Sequence, residues 1–331
     1  MAEYLDLLDD ALKMADEDLA RIPLLERIIL EADSHNDIET GVVARFELID
    51  TCHDTGYPKK ALQAFSWLIH KYESDETIID EEDLFWRYKW IIGYALKFPE
   101  IPIEQIETLQ ADMKEKFKAK NYSLKPYYYS KLRMILRMGG EIELAEPYYE
   151  KWKETSADHL SDCRACELDS EVDYYIHAGD VDKAYKLAQP LLIQRLTCSS
   201  VPHITYSYMV LSLLHIGKKE AAEKCYKKGY KLVAKRGDFA EEIGEYILYL
   251  LKTNRKQEAE TILNENIEII EKIDTTIDKI MFMQSAYPLF AEKNDVKRMN
   301  WVEEYTQKLD TRHGNGYYTT RLNEIKQFTL N

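Results

Sequence analysis

Chain breakers are scarce in this sequence. Its 331 residues include only 12 Gly and 9 Pro, too few to supply the closely spaced turns of an all-β fold. Long apolar runs are missing as well. The longest, Trp90 to Leu96, falls far short of the roughly 20 residues that a membrane-spanning helix requires, so no membrane association is expected. Positive charge is in deficit: 44 Lys and Arg stand against 59 Asp and Glu, a net charge of −15. Such a chain repels phosphate backbones. Its nearest basic patch, Lys227, Lys228, Lys231, Lys235 and Arg236, has the spacing of a solvated helix face, so nucleic acid is not an expected partner.

The signatures of catalysis are also lacking. There is no glycine-rich phosphate loop and no His-Glu-x-x-His pair. The histidines are scattered, and acidic pairs such as Asp9-Asp10 sit where a helix start accommodates negative charge. No enzyme is expected. Cysteine is limited to five residues, and Met1 to Asp10 is acidic and amphipathic rather than basic and then apolar. Those features predict reduced thiols and a cytoplasmic protein without a secretory signal.

What the chain does contain is helical pattern. Hydrophobic residues make up 45% and charged residues 31%, interleaved at three- and four-residue steps, so the fold is expected to be all-α. Residues 1–37 read as an N-terminal amphipathic segment broken near Pro23. Beyond it a turn recurs. Gly56, Gly140, Gly179 and Gly217 are each followed five residues later by Ala61, Ala145, Ala184 and Ala222. Asn254 precedes Ala259, and Asn294 precedes Met299, at the same offset. Steps between the last five turns are 39, 38, 37 and 40 residues. One further turn is expected at residues 98–102, which makes about seven pairs of helices. Gly and Asn tolerate the left-handed conformation that ends one helix, and a small Ala lets the next helix return closely against it.

Helix pairs with Gly and Ala at this offset resemble tetratricopeptide repeats over about residues 40 to 310. The supporting positions are Gly56, Ala61 and Phe65, then Gly179, Ala184 and Ala188, then Gly217, Ala222 and Tyr226. The period here is longer than the family's usual 34 or so residues, and Ile49 and Val210 stand where the family has Gly inside the first helix. The resemblance implies a right-handed α-α superhelix, a solenoid, over residues 38–312, closed by a C-terminal capping helix at 313–331. It also implies a protein or peptide partner held in the concave groove. Residues 160 to 255, with Asp162-Cys163-Arg164-Ala165-Cys166, Cys198, Pro202-His203 and Gly217, are similar to a group of uncharacterised bacterial proteins of tetratricopeptide type.

Two sets of residues are candidates for function. Because paired helices are antiparallel, Cys163, Cys166, Cys198 and His203 fall at one edge of the array. Three thiolates and an imidazole suit tetrahedral structural zinc. A redox-active Cys-x-x-Cys at a helix start and reduced cysteines that only pack remain alternatives. Cys52 and Cys225 lie in apolar stripes and are expected in the core. The second set is aromatic and basic: Trp86, Arg87, Trp90, Tyr128, Arg133, Arg137 and Tyr206 lie on first helices of pairs. Trp, Tyr and Arg dominate binding hot spots, although tyrosines that pack between repeats with a wet hydroxyl would give the same pattern. The expected function is a non-catalytic scaffold or adaptor. The alternative is a regulatory sensor whose curvature responds to a peptide or a metal.

Overall fold

The computed structural model describes residues 3–327, and these contain seventeen α-helices, one short 3-10 turn and no strand. None of the helices is long and apolar enough to cross a membrane. The chain divides into two compact units, the first running up to Phe98 and taking in Ile273–Thr275, the second comprising the rest.

The first unit holds α1 (Glu3–Ala11), α2 (Arg21–Ser34), α3 (Ile38–Thr55), α4 (Pro58–Ser74) and α5 (Glu81–Leu96), each packed on the one before it. The expected break at Pro23 lies earlier, at residues 12–20. Pro23 instead occupies the first turn of α2, where a missing amide hydrogen loses no helical bond. The first helices are joined through Arg21, which is 1% exposed. Its guanidinium donates to the carbonyl of Ala11 at 2.9 Å and the hydroxyl of Thr51 at 3.0 Å, and also to Asp16 and Glu47. A planar fork can serve these four acceptors together and an ammonium cannot. Arg21→Lys should therefore lower stability by about 1.5 kcal/mol in urea unfolding. An unchanged midpoint would show that the clamp is not needed.

The second unit opens with α6 (Ile103–Ala119) and continues with α7 (Lys125–Arg137), α8 (Ile142–Glu154), α9 (Arg164–His177) and α10 (Val181–Leu192). Then follow α11 (His203–His215), α12 (Lys219–Val233), α13 (Ala240–Lys252), α14 (Lys256–Lys272), α15 (Thr276–Glu292), α16 (Val296–His313) and α17 (Tyr317–Lys326). Here α7 pairs with α8, α9 with α10, α11 with α12, α13 with α14 and α15 with α16. First helices also touch in succession, α9 on α11, α11 on α13 and α13 on α15. The turn expected at 98–102 falls between α5 and α6, where the two compact units divide.

The recurring turn forms as its residues dictate. Gly56, Gly179, Gly217, Asn254 and Asn294 all have positive φ, and Ala61, Ala145, Ala184, Ala222 and Ala259 are all 0% exposed. In the α7–α8 turn the left-handed residue is Gly139, at φ +67°, one position before the expected Gly140. Asp180 and Asp295 then cap α10 and α16, accepting from the backbone N–H of Lys183 and Arg298, as N-cap carboxylates do.

The last helix packs on the two before it. Tyr318, 2% exposed, joins a cluster with Ile277, Ile280, Met281 and Leu309. The turn before α17 also reaches the α7–α8 turn. The side-chain amide of Asn315 donates to the carbonyl of Met138 at 2.7 Å, and the hydroxyl of Tyr318 donates to that of Arg137 at 2.9 Å. The ring of Tyr317 lies over Gly139, where an added Cβ would come within 2.2 Å of its Cγ.

Candidate functional site

Two connections in the second unit are longer than the other links between pairs: residues 155–163, from α8 to α9, and 193–202, from α10 to α11. They converge on the cysteines. Cys163 ends the first connection as the N-cap of α9, Cys166 lies in the first turn of that helix, and Cys198 lies in the second connection. The sulfurs of Cys163 and Cys166 are 3.6 Å apart, and all three sulfurs lie within 4.8 Å of one another. Cys163 and Cys198 are exposed, while Cys166 is half-buried, packed against Ala165, Leu191 and Val201.

Local electrostatics single out Cys163. Burial raises its thiol pKa, but the backbone N–H groups of Cys166 and Ala165 and the thiols of Cys166 and Cys198 outweigh that and hold it below the ordinary cysteine range. A helix start that points free N–H groups at a sulfur favours its thiolate. Cys166 is pushed up, first by burial and then by the two neighbouring sulfurs. The three thiols thus form a cluster able to bind a metal.

His203 is not part of that cluster. Its ring stacks on Phe239 with centroids 5.3 Å apart and planes 17° apart, and its Nδ1 is buried without a hydrogen bond. Burial, and then Arg236, lower its pKa. The stacking partner lies in the link to the next pair and turns the ring away from the topological edge. Cys52 and Cys225 are buried core thiols, as expected, each pushed up to about 12 chiefly by burial.

The aromatic and basic candidates separate. In the first unit, Arg87 forks onto Asp50 at 2.8 and 2.6 Å, Trp90 stacks on His53 at 4.2 Å, and Trp86 meets Trp90 edge-on with Lys89 over its ring. In the second unit, Tyr128 packs beside the cluster of Leu132, Leu136 and Trp152. Tyr206 is 1% exposed and donates its hydroxyl to the carbonyl of Leu192, so it is a core residue and not a surface for a ligand. Arg133 and Arg137 stand on one face of α7, four residues apart, and there they meet groups from other first helices.

That shared face is polar. Arg137 donates to both carboxylate oxygens of Glu241 on α13, at 2.6 and 2.8 Å. On α9, Asp169 and Asp173 lie toward Arg133, whose charge acts on both carboxylates. Asp169 accepts from the hydroxyls of Thr205 and Tyr208 on α11. Burial nevertheless lifts its pKa to about 7, with Asp173 adding to the rise. Burial opposes ionisation of Asp173 too, but His177, Arg137 and Arg133 together hold its carboxyl below the ordinary range. On α13, burial and then Glu241 and Asp278 push Glu242 up to about 8. From α17, Arg321 donates to Glu245 at 2.8 Å, Gln284 at 2.8 Å and Ser285 at 2.9 Å.

Arg133 differs from its neighbours. It is half-buried, and among the described residues its guanidinium has no hydrogen-bond or ion-pair partner. Arg133 and Arg137 were legible as candidates in the sequence, whereas Asp169, Asp173, His177, Glu241, Glu242 and Arg321 were not. A signal for several was present: Asp169, Asp173 and His177 repeat at four-residue steps on the face of α9 that continues the stripe of Arg133 and Arg137. A buried carboxyl with a raised pKa, Asp169, beside the unpaired Arg133 makes this face a candidate site. No family model matches the chain, and no curated protein matches it.

Proposed function

We propose that this chain is a non-catalytic binding protein, with tetratricopeptide-like pairs stacked in a right-handed superhelix and a peptide or protein segment held against its first helices. The observation that carries the reading is the polar face of α7, α9, α11 and α13. Arg133 stands there without a partner beside Tyr129, Asp169 and Asp173, and offers a planar donor fork to a carbonyl or carboxylate of the ligand. The face holds paired, oppositely charged groups rather than a nucleophile with an adjacent base, which fits recognition better than chemistry.

The test uses Arg133→Glu against Lys224→Glu, a charge reversal on α12. Among the described residues Arg133 makes no hydrogen bond or ion pair, but its charge favours the Asp169 and Asp173 carboxylates beside it. The reversal should therefore lower the thermal unfolding midpoint by a few degrees, and binding is compared at a temperature where both variants remain folded. Affinity for a partner captured from native lysate should fall about tenfold or more, with the control unaffected. Equal binding by both variants would remove the polar face from recognition.

The cysteine cluster favours a second reading, in which zinc held by Cys163, Cys166 and Cys198 fixes the angle between adjacent pairs and makes the array responsive to metal. The cluster lies where the links are longest, so a staple there has the greatest freedom to remove.

A further inference from the structure

Three thiols gain little from meeting as they do here. The S–H group is a weak donor, and with Cys163 and Cys198 exposed their convergence buries little apolar surface. A bound cation gives the arrangement a purpose. Zinc–sulfur bonds near 2.3 Å imply a tetrahedral edge of about 3.8 Å, and Cys163 and Cys166 already stand 3.6 Å apart. Thiolates select thiophilic metals over calcium or magnesium, which take oxygen ligands. An iron–sulfur cluster calls for about four cysteines, and among the described residues no fourth Cys, His, Asp or Glu joins this group.

The missing fourth ligand is informative. Structural zinc sites close all four positions with protein, while sites that bind something at the metal keep one open. The two histidines in sequence reach stay outside the group: His203 stacks on Phe239, and His159, four residues before Cys163, meets the ring of Tyr122 edge-on. Two of the three cysteines are exposed residues, so the cluster lies at the surface, within reach of a ligand from outside. We infer that Cys163, Cys166 and Cys198 form a three-thiolate zinc site whose fourth position is open to an imidazole or thiol from outside the chain. Binding breaks three S–H bonds, releases three protons to solvent and forms three zinc–sulfur bonds, with no change in oxidation state. The inference rests on the metal-binding reading above and adds the open coordination position to it.

Cobalt(II) is a suitable probe because its visible bands report coordination. The full chain, reduced and stripped with chelator, is titrated with cobalt(II) and then with zinc. The expected result is one cobalt per chain, with intense thiolate-to-cobalt absorption that zinc abolishes. Affinity should fall by about a hundredfold in Cys163→Ser, Cys166→Ser and Cys198→Ser, since each removes a ligand and outer partners alone are worth about ten- to a hundredfold. Added imidazole or 2-mercaptoethanol should then shift the visible bands of the wild-type complex, and His203→Ala should leave them in place. If no cobalt or zinc binds, or if all three serine variants bind as well as wild type, the metal site itself is refuted. If the metal binds through the cysteines but its bands ignore added imidazole and thiol, the metal reading survives and the open position is overturned. That second result does not depend on whether His203→Ala folds.

Discussion

Gly244→Ala is expected to destabilise the second unit by about 2 kcal/mol, and Gly244→Val by about 4 kcal/mol. The direction is opposite to that of helix propensity, which favours Ala over Gly by about 1 kcal/mol in a helix interior. Packing decides the sign. Gly244 lies on α13 where that helix meets α15, and a Cβ there would stand 2.8 Å from the Cα of Phe282 and 3.2 Å from the carbonyl oxygen of Met281. Those neighbours are backbone, so no rotamer change relieves the contact and the two helices must separate. Phe282, Ile280 and Ile243 around this crossing are 0% exposed, and separating the helices opens voids among them. Chemical denaturation of the three proteins measures the effect. A midpoint raised by Gly244→Ala would mean that α13 and α15 are not so closely packed.

A second large effect is expected with pH. Asp169 and Glu242 have folded-state pKa values of about 7 and about 8, well above the ordinary carboxylate range that they have when unfolded. The folded chain therefore holds these protons when the unfolded chain has released them. Stability must fall as pH rises from about 4 through 8. The groups facing them explain why. Asp169 meets Asp173 on its own helix, Arg133 from α7, and the hydroxyls of Thr205 and Tyr208 from α11. Glu242 meets Glu241, Asp278 from α15 and Arg137 from α7. Each tenfold change in proton affinity is worth about 1.4 kcal/mol, so the loss between pH 5 and pH 8.5 should be on the order of 7 kcal/mol. Below pH 4, protonation of Asp173, whose pKa is lowered, acts in the opposite direction and gives an optimum on the acid side of neutrality. The double variant Asp169→Asn, Glu242→Gln should flatten the slope and be the more stable protein at pH 8.5. An undiminished slope in that variant would place the titration elsewhere.

Local signals in the sequence were enough for the six pairs that turn at Gly56, Gly139, Gly179, Gly217, Asn254 and Asn294, though not for the expected pair around residues 98–102. A left-handed turn residue followed by a buried small one is a requirement of each hairpin by itself, which is why five alanines of the repeat are all sealed. Where two adjacent residues could meet the need, as at Gly139 and Gly140, the left-handed one is Gly139, which also lies under the ring of Tyr317, far along the chain. The three cysteines were legible for a related reason, because antiparallel pairing alone brings them to one edge. The orientation of His203 was not, since Phe239 in the next link holds its ring. Rotational phase was the hardest feature to read. Tyr206 and Tyr208 are two residues apart and point about 200° away from each other. One is sealed against Leu192 and the other reaches Asp169, yet residue type gives both the same promise. The polar face depended on that phase in four helices at once.

The contact between the turn before α17 and the α7–α8 turn bears on how the chain is made. Asn315 bonds to a carbonyl 177 residues earlier, whereas each hairpin closes within about 40 residues. During synthesis from the N-terminus, the pairs can form one after another as they emerge, as local contacts do. The closing contact has to wait until residues 315–321 have been made. Until then the ring of Tyr317 is absent from Gly139, and Arg321 has not yet reached Glu245. The second unit therefore gains its finished polar face in a single late step, and an incomplete nascent chain would present that face only in part.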